Sequence, residues 1–340
     1  MTILILTDFN IIRKLGKARM ILLVTNCRDI TTDFVVAELQ RRSIPFYRLN
    51  TEMLPQASCV MNGFPKTAWS ISLEGNTVCG EEIRAAYFRR PGTPEFITTP
   101  ENLGEKAYME AEWASFLKSL YMRMNDVWLN SPTAIFLAED KPCQLTLAHQ
   151  IGFNVPFAQV TNDVDAVRRV TAAGPAVGKP LRQALLAGDR ERVIFTTRLD
   201  CILEEDRQAI SMAPFIVQTE ILKKYDIRVT VVGKRVFATA IWSQEHQETE
   251  VDWRQGSRID LKHERIKLPF LIEQQCFELL QALGLRYGAI DLICDREDKL
   301  WFLEINPNGQ WAWIENLTGF PISSAIADEL ESITRAENVA

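Results

Sequence analysis

The stretch Ala289–Gly309, AIDLICDREDKLWFLEINPNG, decides how this sequence is read. Two apolar runs, Ala289–Cys294 and Leu300–Ile305, flank the charged turn DREDK, a pattern that predicts a β-hairpin. With the turn centred between Glu297 and Asp298, Asp291 falls opposite Glu304, and cross-strand neighbours lie roughly 4.5–5.5 Å apart. Glu304 and Asn306, two residues apart on one strand, share a face. Three oxygen donors, two of them anionic, therefore converge on one patch. Like charges directly opposite one another are unfavourable, so a cation between them is a better reading than a solvated acidic face. Hard oxygen donors without His or Cys select Mg2+, with Mn2+ as its substitute, over zinc.

Magnesium held by few carboxylates brings a phosphate with it. Upstream, Lys141 stands at the start of a helix, and Lys179 ends the short strand of PAVGKPL, where an apolar run and Pro180 aim it at a cleft. The following loop, RQALLAGDRER, has one glycine and is a weak phosphate cradle. No Walker motif and no GxGxxG fingerprint is present. In PFIVQTEILKKYDIRVTVVG, the apolar strand ending in QTE offers backbone hydrogen bonds to an adenine. Asp226 and Arg228 alternate with Ile227, so both face the polar side of their strand. Arg228 there would offset charge on a transferring phosphoryl group; read alone, the two residues equally make a structural ion pair.

The rest of the chain is compatible with such a site. Its 340 residues are too many for one core and fit two or three subdomains. A hydrophobic fraction of 47% with 24% charged residues is that of a globular protein outside the membrane. The net charge of −6, with both signs interleaved, argues against a nucleic-acid partner. Seven scattered cysteines without a CxxC pair suit a reduced, cytoplasmic protein, and the three histidines have no metal-ligand spacing. No run reaches the roughly 18 apolar residues of a membrane helix.

From Met20 the pattern runs strand (Ile21 to Val24), helix (Thr32 to Arg42), strand (Phe46 to Leu49), a βαβ opening that predicts an open α/β domain. Further strands are expected at Ala68–Leu73 and Ala86–Arg89, and an amphipathic helix at Tyr108–Met124. Met20 is read as the start of the folded part, with residues 1–19 an extension; an extra strand there is the alternative. Ser131-Pro132 marks a boundary. The expected division is 1–19, 20–130, 131–214 and 215–340.

The order of these residues resembles an ATP-grasp ligase over about residues 131–325. The resemblance rests on Lys141 in EDKPCQ, Lys179 in VGKPL, the QTEI strand, DIRV, Asp291, and the ExN of Glu304 and Asn306. It implies an α/β ATP-grasp fold behind an N-terminal pre-ATP-grasp domain, with ATP between two subdomains. Carried over, Lys141 and Lys179 contact phosphates, and Gln218, Thr219, Glu220 and Ile221 line the adenine. Asp226 holds the ribose, and Asp291, Glu304 and Asn306 bind Mg2+.

A narrower likeness lies in MILLVTNCRDITTDFVVAEL (20–39), YFRRP (87–91), VDWR (251–254) and FLEINPNGQWAW (302–313). These are similar to the maturases of microviridin-type ω-ester peptides, the graspetide ligases. Such enzymes are cytoplasmic, often homodimeric, and act on a ribosomally made precursor peptide, whose leader is expected around residues 182–212. They activate Asp or Glu side chains as acyl phosphates, which Ser/Thr hydroxyls or a Lys amine attack to give macrolactones or macrolactams. On this likeness Arg254, beside Asp252, stabilises the acyl phosphate or positions the acidic side chain; the alternative is a surface arginine paired with Asp252. Trp311 and Trp313 are the candidates to face the peptide, with completing the core as the alternative, and Trp301 is expected in the core or half-buried. The sequence departs from the pattern in its first 19 residues and in the glycine-poor loop after Lys179. An amino-acid or peptide ligase of the glutathione-synthetase or ribosomal-protein glutamate ligase type would share every ATP residue. A nucleotide-binding regulatory protein without turnover is the alternative of another class.

Overall fold

In the computed structural model, residues 19–97, 102–182, 184–186, 192–255 and 260–336 are described. The expected extension lies outside them up to residue 18, as does most of the loop between 183 and 191. The chain divides into two units, Met1–Pro132 with Pro321–Ala340, and Thr133–Phe320.

In the first unit, β1 (Met20–Thr25) is buried at every position, as befits an apolar strand covered on both faces. Helix α1 (Ile30–Arg41) returns the chain to β2 (Phe46–Asn50), parallel to β1, the expected βαβ opening. Next, β3 (Ser58–Met61), β4 (Trp69–Leu73) and β5 (Asn76–Cys79) make a separate antiparallel sheet, of which the pattern announced only the middle strand. Strand β6 (Ile83–Phe88) joins the far side of β1, giving the order β2-β1-β6. Helix α2 (Leu103–Arg123) opens on Asn102, whose side chain accepts the Glu105 amide. Its Leu117 and Leu120 are buried, while Trp113 and Phe116 are half-buried and pack edge to face.

The second unit starts with α3 (Pro132–Ala138) and α4 (Lys141–Ile151). Then follow β7 (Ala158–Thr161), α5 (Val164–Ala173), β8 (Ala176–Lys179), β9 (Ala184–Leu186), β10 (Arg192–Ile194), β11 (Thr197–Leu199), α6 (Arg207–Ser211) and β12 (Phe215–Thr219). Four of the strands form an antiparallel sheet, β11-β8-β12-β7, against which α5 buries Val167 and Val170. A larger antiparallel sheet follows, from β13 (Lys223–Val232), β14 (Arg235–Ile241), β15 (His263–Ile266), β16 (Tyr287–Asp295) and β17 (Leu300–Asn306). Its order is β15-β14-β13-β16-β17, with α7 (Phe270–Ala282) inserted before β16 and α8 (Ala312–Thr318) after β17. Ile227, Val229 and Val231 alternate along β13 and point to one face, where Ala148 of α4 and Leu279 of α7 join them in a continuous core. The opposite face is polar and carries the residues of interest.

The last helix, α9 (Ile322–Ala336), belongs to the first unit, which differs from the expected 215–340 division. Arg42 reaches Asp328 at 2.5 Å and the Ser324 hydroxyl at 2.7 Å. The apolar positions 322, 326, 330 and 333 of α9 repeat with helical spacing and are buried.

Phe302 is fully buried and packs at 5.4 Å against Phe153, beneath the polar face. Phe302→Ala is expected to cost about 3–5 kcal/mol, read as a lowered unfolding midpoint in urea or on heating.

Candidate functional site

The hairpin β16–β17 has the expected pairing of Asp291 with Glu304, reached by a different route. Next to the turn the register is one residue tighter, with Leu292 opposite Phe302; the shift between Asp291 and Leu292 leaves Leu303 as the extra residue of a bulge. That is why Phe302 and Ile305, three apart, both point into the core. The bulge restores Glu304 to its place opposite Asp291. Because β13 sets Arg228 opposite Asp291 and β14 sets Thr239 opposite Arg228, one row crosses four strands: Thr239, Arg228, Asp291, Glu304.

Cations face both carboxylates. The Arg228 Nε lies 3.1 Å from Asp291 Oδ1 without hydrogen-bond alignment, so the pair is held by charge. Glu304 meets Lys141 Nζ at 3.1 Å and Arg254 Nη1 at 3.6 Å. Burial pushes the Asp291 carboxyl up to about 6, against the pull of Arg228. Burial also works against the charge of Glu304, but Lys141, Arg254 and Lys179 together outweigh it and bring that carboxyl down to about 2. Two neighbouring acids are thereby driven apart, a common sign of a site.

Lys141 owes its position to local structure. Asp140 caps α4 by accepting the Cys143 amide at 2.8 Å, and Pro142 needs no N–H in the first turn. Buried Gln144, one turn on, bonds Ile305 twice: it accepts from its N–H at 3.0 Å and donates to its C=O at 2.9 Å. That clamp fixes the helix start beside Glu304. Nothing in the sequence marks Gln144, since a glutamine in a first turn ordinarily faces water. Lys141 Nζ also donates to Pro180 O at 3.3 Å, one residue beyond Lys179. Lys179 ends β8 half-buried, and burial pushes its amine down to about 8 despite the Glu304 charge.

The DWR segment gathers more. Asp252 is buried and accepts from Arg254 Nε at 2.8 Å and from the Thr196 amide at 3.4 Å, so the Asp252–Arg254 ion pair read from the sequence exists. Arg254 also reaches Glu304, so it is not merely a surface arginine. Trp253, unassigned in the sequence reading, lies under the Arg228 guanidinium at 5.6 Å and 5.2 Å from Trp313. Trp311 is fully buried, which overturns its expected exposure to peptide: it precedes α8 and packs inward, while Trp313 stays half-buried. Trp301 is half-buried too, its indole N–H bonded to Asp295.

Asp226 is not placed as an open ribose acceptor. A register shift between Lys223 and Tyr225 brings Lys223 onto its face, and the ammonium holds both carboxylate oxygens at 2.7 and 2.8 Å. Ser243 donates to the same carboxylate, and both members of the ion pair are buried. Of the expected adenine stretch, Gln218 is buried in β12, and the Thr219 and Glu220 amides bond Phe157 O and Pro175 O where the strand ends. The Glu220 carboxylate is paired with Arg198 at 2.8 Å.

Among the described residues no group of three or more His, Cys, Asp or Glu is placed to hold a metal. A cation here would rest on two carboxylates and the Asn306 amide, the sparse oxygen set that suits Mg2+ rather than zinc. The Asn306 Oδ1 accepts the Asn308 amide at 2.9 Å and keeps a second lone pair. The donors fit the ion.

Comparison with known proteins agrees with this geometry. Residues 188–330 match the RimK-like ATP-grasp domain. The fold is similar to that of a Chryseobacterium gregarium RiPP-associated ATP-grasp ligase, solved with ADP and a leader and core peptide. The TM-score is 0.84 at 28% identity, over 92% of this chain and 97% of that one. It is also similar to the Microcystis aeruginosa macrocyclase MdnC, solved with the precursor peptide MdnA, at TM-score 0.79 and 26% identity over 92% and 99% of the chains. The macrocyclase MdnB of the same organism gives 0.77 and 27%, over 92% and 99%. No curated protein sequence matches the chain. The chain carries a RimK-like ATP-grasp domain within an ATP-grasp fold, and by fold and domain it is an ATP-grasp ligase. Enzymes of this class work with ATP and Mg2+.

Two outcomes follow from these charges. Asp226→Ala leaves Lys223 buried and unpaired and is expected to cost about 3–5 kcal/mol, seen as a lower unfolding midpoint. Lys179, with its amine near 8, is charged below that pH and neutral above it. If it meets phosphates, nucleotide affinity falls as pH rises from about 7 to 9, because the neutral form cannot pair with them. Lys179→Arg, charged throughout, is expected to flatten that profile in titrations with a fluorescent ATP analogue.

Proposed function

We propose that this ligase activates Asp or Glu side chains of a ribosomally synthesised precursor peptide, leader plus core, as acyl phosphates. It then joins them to Ser/Thr hydroxyls or a Lys amine as macrocyclic esters or amides. The observation that carries this reading is the Arg228–Asp291–Glu304 row, met by Lys141 and Arg254, in a chain similar over nine-tenths of its length to macrocyclases. The glutathione-synthetase and glutamate-ligase alternatives would share the row but not the likeness to macrocyclases.

The chemistry is two displacements. A substrate carboxylate oxygen attacks the γ-phosphorus and ADP leaves; a hydroxyl or amine then attacks the acyl carbon and phosphate leaves. Asp291, Glu304 and Asn306 would hold Mg2+, which would supply positive charge for the phosphates. Lys141 and Lys179 offset the phosphates on the lysine side of Glu304. Arg228, steadied by Asp291 and the Trp253 ring, faces the charge that develops in transfer. Arg254, aimed by buried Asp252, positions the substrate carboxylate. Backbone groups of Gln218–Ile221 other than the Thr219 and Glu220 amides, which bond Phe157 O and Pro175 O, meet the adenine. Asp226 acts through Lys223 and the loop that this pair anchors at Val251 O, rather than on the ribose.

A reduced cytoplasmic setting is supported by five described cysteines of at least partial exposure with no disulfide, and by the absence of any described helix apolar and long enough to cross a membrane. A homodimer is part of the same reading.

The test is direct. A short peptide encoded beside this gene, with a Ser/Thr- and Asp/Glu-rich tail, is incubated with enzyme, ATP and Mg2+. Each bond formed removes the mass of one water. Glu304→Ala or Asn306→Ala is expected to lower the rate at least about a hundredfold; dehydration that survives both changes removes the metal assignment.

A further inference from the structure

Beyond Arg228 a column of rings leaves the carboxylate row. The Arg228 guanidinium sits 5.6 Å from the centre of the Trp253 ring. Trp253 and Trp313 are 5.2 Å apart with their planes at 38°, and His263 meets Trp313 edge-on at 5.4 Å. All three rings are half-buried, so each keeps an open part. The column is built from three separate places in the chain: the DWR segment, α8 and β15. His263 lies on the polar face, since it pairs with Ile241, which pairs with Asp226. Burial lowers its tendency to charge, and the Leu261 backbone holds one ring nitrogen. A neutral imidazole whose Nε2 has no hydrogen-bond partner acts here as a prop for the Trp313 ring.

We propose that Trp253 and Trp313, propped by His263, form a subsite for an apolar or aromatic side chain of the substrate within two residues of the acid being activated. This rests on the peptide-ligase reading and names what that reading leaves open, the residue beside the acid. Two facts choose the occupant. Trp253 is the neighbour in sequence of Arg254, so a peptide whose acid reaches Arg254 lays an adjoining side chain on the indoles, one extended residue being about 3.3 Å. The column already carries a cation at one end, so a second positive charge is repelled there while an apolar or π surface gains contact. His263 is a positioning residue: it touches Trp313 and not the peptide.

The experiment pairs enzyme and peptide variants, with ring formation followed by mass and the peptide and ATP dependences measured separately. The wild-type enzyme with wild-type peptide reports on the peptide-ligase reading itself; no water loss there refutes that reading before the subsite is at issue. Given water loss, replacing the apolar residue beside the acid by Ala is expected to raise the peptide KM about tenfold. Trp313→Ala does the same, and the two together cost little more than either alone, the signature of a shared contact. Trp313→Phe and His263→Phe, which keep a ring, restore most of the affinity; His263→Ala loses part of it. An unchanged peptide KM in Trp313→Ala, or additive losses in the pair, overturns the subsite. If Trp313→Ala is insoluble, Trp313→Phe and His263→Ala with both peptides decide in the same way.

Discussion

Two carboxylates set side by side on a buried sheet face are stable only in the company of cations, and the second unit is organised around meeting that requirement. Arg228 answers Asp291 from the adjoining strand, while Lys141 and Arg254 answer Glu304 from a helix start and from a loop. Each cation is itself fixed by something neutral or anionic: a ring under Arg228, Gln144 behind Lys141, Asp252 beside Arg254. Removing an acid therefore strands a charge, and removing a cation leaves an acid in a place where burial already works against it.

The division between the acids has a functional sense. Asp291, which Arg228 and Arg254 face, is pushed by burial towards its protonated form, whereas Glu304, with Lys141, Arg254 and Lys179 around it, stays ionised. A cation or a phosphate entering the row redistributes these partners, since Lys141 and Arg254 share one carboxylate. The same side chains thus serve two states, one in which they neutralise each other and one in which they face a ligand.

The βαβ opening and the hairpin that carries Asp291 and Glu304 were legible because apolar runs with turn residues between them admit few alternatives. Glu304 opposite Asp291 was legible for a partly accidental reason: the register assumed next to the turn is offset by one residue, and the bulge at Leu303 cancels the offset. No residue type announces a bulge between apolar neighbours. Trp311 and Asp226 were misread because sequence order shows that a residue is near a motif, not which way it points; a helix start turned Trp311 inward, and a register shift handed Asp226 to Lys223. Gln144 and Trp253 escaped notice because their work depends on partners far away in the chain.

The clamp by Gln144 has a second side. Strand β17 is an edge of its sheet, and an edge strand is a template on which any extended chain can pair. Gln144 takes both backbone groups of Ile305, and Asn154 takes the Phe302 amide through its carbonyl and the Leu300 carbonyl through its side chain. The strand that carries Glu304 and Asn306 is thus closed to augmentation. In an enzyme whose proposed substrate is itself an unfolded peptide, this matters: the peptide cannot zip onto the ligand-bearing edge, and has to present its acids side chain first.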